Sequence, residues 1–120
     1  MSMRNVKRKR VYEEPEPDDG LRILVDRLWP RGLKKEAAKI DSWMKEIAPS
    51  DELRRWFAHK PERWPQFKKR YLQELSGRKD ALEDLRKLGK TNKRITLLFG
   101  AKNPEQNNAV VLYEALAKTK

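Results

Sequence analysis

The stretch that most constrains the fold is Leu21–Gly32, LRILVDRLWPRG. Ile23, Leu24 and Val25 are consecutive, apolar and largely β-branched, and they lie between Gly20 and Pro30. That pattern suits a strand buried on both faces better than it suits a helix. Charge appears abruptly at its C-terminal end. In sheets covered by helices, that end is where ligands bind, so Asp26, Arg27, Trp29 and Arg31 are the first candidates for a site.

A second run of this kind, Arg94–Phe99 (RITLLF), lies some seventy residues on and leads into Gly100-Ala101-Lys102-Asn103-Pro104. The long connection between the two runs has helical periodicity, as a right-handed parallel crossover requires. If the two strands are parallel neighbours, the Asp26–Gly32 and Gly100–Asn103 loops meet at one edge of the sheet. A third strand is expected at residues 5–12, where Val6, Val11 and Tyr12 flank a basic centre suited to a sheet edge. The acidic loop after it, residues 13–20, holds Pro15, Pro17 and Gly20 and has no room for a crossover helix. Residues 5–12 and 21–28 therefore pair antiparallel or are not neighbours, and the acids of the loop are placed to offset the basic strand.

Between the strands, Ile40, Trp43, Met44 and Ile47 recur at helical spacing before Pro49. Ser50 is placed to cap a short helix that buries Leu53, Trp56 and Phe57. Pro61 opens a longer helix with Trp64, Phe67, Tyr71, Leu72 and Leu75 inside, ended by Gly77. Leu82, Leu85 and Leu88 mark another, with Gly89 as its stop. In the last helix Asn103 is read as the cap, Pro104 as the first residue and Gln106 as the capping-box partner. Ala109, Leu112, Tyr113, Leu116 and Ala117 form its inner face. The expected architecture is α/β: one domain over residues 1–120, a small three-stranded, mostly parallel sheet, and about five helices.

Composition narrows the chemistry. The chain has no cysteine and one histidine, His59. Thiolate nucleophiles, iron–sulfur clusters, thiolate zinc sites and multi-histidine metal sites are therefore excluded. A base working near neutral pH must be His59 or a perturbed carboxylate or lysine. The formal charge is +11, of which Arg4, Lys7, Arg8, Lys9 and Arg10 supply +5 within the first twelve residues. Such an excess attracts anions, although solvated helix faces account for it equally well. No apolar run is long enough for a membrane span and no signal-peptide pattern is present, so a cytoplasmic protein is the expectation.

The phrases RILVDRLWPRG, IAPS, ELRRWF, H-x-P-E-R-W and TLLFGAKNPEQNNAVVL closely resemble the bacterial YeaO-like proteins, a domain of unknown function numbered 488 in its series. The resemblance runs from Val6 to Leu116. It implies a shared fold and carries no established activity. More distant members of the wider family place cysteines where this chain has Phe99 and Asn107, so cysteine-based redox or metal chemistry does not transfer.

Two functional readings follow from the residues. In the first, a small anion such as phosphate or a carboxylate binds at the strand ends, gripped by Arg27, Arg31 and Lys102 and covered by Trp29. Asn107 sits in the first turn of the last helix with Asn108 and is the preferred ligand contact of the two. Asp26 and His59 are the candidates for acid–base chemistry. The plainer alternative is that Asp26–Arg27 is an ion pair, Trp29 is core and Pro30–Gly32 is a turn. A Ser50–His59 nucleophilic pair lacks both a G-x-S-x-G elbow and a third member. In the second reading, Lys7–Arg10 together with Arg63, Lys68, Lys69 and Arg70 contact nucleic-acid phosphates without sequence preference. No cofactor motif is readable.

Overall fold

The computed structural model describes residues 3–118; the ends of the expected domain, residues 1–2 and 119–120, lie outside them. Strands β1 (Val6–Arg10), β2 (Leu21–Leu24), β3 (Ser42–Trp43) and β4 (Ile95–Phe99) form one sheet in the order β1-β4-β2-β3. Every pairing is parallel. The helices are α1 (Lys35–Ala38), α2 (Asp51–Phe57), α3 (Trp64–Ser76), α4 (Lys79–Thr91) and α5 (Asn108–Ala117). The chain is thus α/β, with β4 inserted between β1 and β2 so that these two never pair.

Register divides the sheet into two unlike faces. On one, Ile95, Leu97 and Phe99 of β4 sit beside Ile23 and Val6 and pack on α2–α5 in the main core. On the other, Leu98, Leu24 and Val11 form a smaller apolar cluster under Trp29, Leu33, Ile40 and Trp43. The same face also carries a charged row. Thr96 of β4 is flanked in register by Lys7 and Arg22, and Asp19, on the 3-10 turn Pro17–Asp19, closes over them fully buried. Its carboxylate accepts from Lys7 at 3.0 Å, Lys9 at 3.1 Å and Arg22 at 2.5 Å, and Glu16 makes a second partner for Lys9 at 2.8 Å. Burial alone would push the Asp19 carboxyl up. The backbone N–H of Glu16 and the three cations outweigh that and hold it well below the ordinary carboxylate range. The acidic loop does offset the basic strand, and it does so inside the protein.

Three local expectations are corrected. The sheet has a fourth strand, β3, and no α-helix runs through Ile40–Ile47, where the only helical piece is a 3-10 turn at Lys45–Ile47. Lys39 turns left-handed at the end of α1 (φ 49°). Asp41 and Met44 then donate their backbone N–H groups to Arg22 and Leu24 of β2. Hydrogen bonding to the open edge of β2 outweighs helical periodicity here, and the apolar residues part between faces, Ile40 and Trp43 to the smaller cluster and Met44 and Ile47 to the main core. Gly89 does not stop α4, which continues to Thr91. Nor does Asn103 cap α5: its side chain accepts from the Glu105 and Gln106 N–H groups in a turn, and Asn107 is the cap, accepting from Val110 N–H at 3.1 Å. Ser50 caps α2 as expected, through the Leu53 N–H, and Gly77 follows α3.

Candidate functional site

The C-terminal ends of β2 and β4 open together, and Asp26 ties them. One carboxylate oxygen accepts from the Gly100 N–H at 2.9 Å, the other from the Asn108 side-chain amide at 3.1 Å. Asn108 spends its second donor on the Val25 carbonyl at 2.8 Å, so α5 begins by gripping the end of β2. Gly100 permits this approach because a Cβ there would lie 2.9 Å from the Asp26 carboxylate. Burial pushes the Asp26 carboxyl up, opposed by the Asn108 and Gly100 hydrogen bonds and by the nearby His59.

Around this tie lies a cavity of about 590 Å³, within the usual range for small-ligand sites. Its apolar walls include Phe57, Phe67, Trp29, Pro30 and Pro49, with Leu28, 54% exposed, at the lip. Arg27, Arg31, Arg54 and Arg55 supply its cations, His59 lies on the same wall, and Asp26 is the only carboxylate lining it among the described residues. A second cavity of about 720 Å³ adjoins it, sharing Tyr12, Arg31, Phe57, His59, Gly100 and Ala101 and adding Arg10 and Lys102 with no acid. Tyr12 spans the two loops: its hydroxyl donates to the Arg31 carbonyl at 2.6 Å, while Arg10 stacks on its ring and donates to the Ala101 carbonyl.

The seven candidate residues converge on this end of the sheet in different ways. Arg27 lines the first cavity but also braces the fold, donating from Nε to the Pro49 carbonyl at 2.8 Å. Trp29 lines it with its indole N–H on the Leu33 carbonyl and its ring edge-on to Trp43. The side chain of Arg31 is exposed and, among the described residues, makes no hydrogen bond or ion pair. Lys102 is also exposed and borders only the adjoining cavity. Asn107 lines the first cavity, yet its oxygen caps α5 and its amide donates to the Asn103 carbonyl, whereas Asn108 contacts Asp26 directly.

His59 borders both cavities, carried there by backbone strain. Ala58 and His59 both adopt left-handed conformations (φ 48° and 58°), each costing of the order of 1 kcal/mol or more in a non-glycine residue. Two such residues in succession end α2 and place the imidazole on the rim beside Phe57, ring centres 6.1 Å apart. Sequence reasoning missed Arg54, Arg55 and Tyr12 as wall residues. The Arg-Arg pair in ELRRWF was the one visible signal for the first two.

Several of the residues expected on a nucleic-acid surface are engaged within the fold. Lys7 and Lys9 are engaged by Asp19 and Glu16. Arg63 and Arg70 lie over the Trp56 ring, at 5.1 and 4.4 Å from its centre, and Lys68 pairs with Glu114 at 2.7 Å. No helix among the described residues is long and apolar enough to cross a membrane.

Comparison with known proteins places this geometry in a family. The chain is 46% identical over 112 residues to the uncharacterized protein YeaO of Escherichia coli (strain K12), covering 93% of this chain and 96% of that one. It is 44% identical over 108 residues to the uncharacterized protein Rv3073c of Mycobacterium tuberculosis (strain H37Rv), covering 89% of each. No solved structure matches it. The family model described as the inactive DUF488-N3 subclade matches residues 5–120. The chain therefore belongs to the YeaO-like proteins of the DUF488 family, within the subclade described as inactive.

Proposed function

We propose that the cavity at the C-terminal ends of β2 and β4 binds a small anionic ligand carrying a phosphate or carboxylate, and that it does so without turnover. One observation carries the reading. Four arginines and a histidine surround a ligand-sized apolar cavity that a single carboxylate enters, and the side chains of Arg31 and Arg55 stand on its wall with no hydrogen-bond or ion-pair partner among the described residues. Guanidinium groups left uncommitted beside an apolar wall suit an oxyanion attached to an apolar body. The description of the subclade as inactive favours binding over catalysis; on this reading Asp26 and His59 contact the ligand and do not carry acid–base chemistry.

Thermal unfolding with and without inorganic phosphate or benzoate tests this. Ligand that binds only the folded chain raises the midpoint. The expected result is a rise in the wild type that disappears in Arg31→Ala/Arg55→Ala, while the ligand-free midpoint stays put. Arg27 is left intact because it braces the Pro49 carbonyl. A wild type indifferent to both anions, or a double variant that responds as the wild type does, overturns the proposal.

A further inference from the structure

Asp26 is the one feature of the cavity that a simple anion leaves unexplained. A carboxylate has room for about four hydrogen bonds. Gly100 and Asn108 supply two, both from neutral donors, and no arginine of the cavity pairs with it. This differs from Asp19, where three cations are brought in to neutralise a buried carboxylate. At the cavity the nearest guanidinium in sequence, Arg27, is turned away to the Pro49 and Ala48 carbonyls. A negative group held at the end of β2 repels a bare phosphate, yet the surrounding walls carry the opposite charge. One kind of molecule satisfies both.

We infer, resting on the anion-binding reading above, that the ligand is amphoteric: an ammonium or N–H donor head meets Asp26, an apolar middle lies against Phe57 and Trp29, and an anionic tail reaches Arg31 and Arg55. The donor head fills the acceptor positions that Gly100 and Asn108 leave open. Glycine at position 100 is what lets Asp26 be fixed by backbone rather than by a cation, which keeps its charge available to the ligand.

Calorimetric titration with benzoate, 4-(hydroxymethyl)benzoate and 4-(aminomethyl)benzoate separates the inference from the reading beneath it. The amine is expected to bind the wild type about tenfold or more tighter than benzoate, and Asp26→Asn is expected to erase that gain, with benzoate bound at least as tightly as by the wild type because the repelling charge is gone. Benzoate binding with no gain from the amine, or a gain that survives in Asp26→Asn, overturns the amphoteric ligand and leaves the anion site standing. Failure of all three probes overturns both. Should Asp26→Asn not fold, the amine against the isosteric alcohol on the wild type decides the matter: equal affinities overturn the inference.

Discussion

Two carboxylates, seven residues apart in sequence, illustrate two uses of a buried negative charge. Asp19 is sealed beneath the loop-covered face of the sheet with Lys7, Lys9 and Arg22 upon it, and it joins β1, β2 and the acidic loop. Asp26 lines a cavity with two neutral donors upon it, and Arg31 and Arg55 of the same cavity have no side-chain partner among the described residues. The first site is closed and internally compensated, as structural ion clusters are. The second is open and under-compensated, as binding sites are. The local difference lies in the partners: three cationic side chains and a backbone N–H in one case, a backbone N–H and a neutral amide in the other.

The largest effect expected on this comparison comes from Asp19→Ala, which strands the buried Lys9 and Arg22 together with the half-buried Lys7. Loss of one partner from a buried charge cluster costs about 3–5 kcal/mol, whereas Asp26→Asn, which keeps an acceptor for Gly100 or Asn108, should cost about 1 kcal/mol. Urea unfolding midpoints of the two variants check this; equal losses would erase the distinction between the sites. Next is Gly20→Ala, in the turn that seats Asp19. Gly20 has φ +64° and a Cβ there would lie 2.1 Å from the Arg94 carbonyl oxygen, while Gly32 has φ +74° with open space around it. Gly32→Ala should cost about 1 kcal/mol and Gly20→Ala considerably more, read by thermal unfolding.

Acid sharpens the contrast further, with a smaller net effect because the two groups oppose each other. Asp19, held below its ordinary range, stabilises the fold above about pH 4, and that contribution is lost as the pH falls through its native value. Asp26, pushed up by burial, takes up its proton first in the folded state. Its contribution is present below about pH 4 and lost as the pH rises through its native value. Stability measured between pH 6 and 2 should therefore fall less steeply in Asp19→Asn than in the wild type, and more steeply in Asp26→Asn. The smallest effect expected is that of Trp29→Phe, which removes the hydrogen bond to the Leu33 carbonyl and trims the edge-on contact with Trp43, about 1 kcal/mol in urea unfolding.

Much of the path to the site was legible in the chain. The apolar run Ile23–Val25 and the run Ile95–Phe99, interrupted only by Thr96, announced central strands, because a strand covered on both faces is apolar at nearly every position. The length of chain between them announced a parallel crossover, and with it the meeting of the Asp26 and Gly100 loops. The short segments were not legible. Residues 40–47 carry a helical pattern that also reads as alternation between two faces, and the free edge of β2 decided which. Asn103, Asn107 and Asn108 all have the chemistry of caps and clamps. Only the line of α5 against β2 assigns the turn to the first, the cap to the second and the Asp26 contact to the third.

By itself, then, the sequence determined the class of fold, the central strands and the end of the sheet where charge collects, since hydrophobic periodicity and glycine or proline punctuation act over a few residues at a time. The tertiary structure alone decided which charges are spent and which are free. Lys9 and Arg22 are buried and Lys7 is half-buried against Asp19, while the side chains of Arg31 and Arg55 have no partner among the described residues, because pairing of a charge depends on what the sheet register brings alongside it, and register is a property of the whole chain.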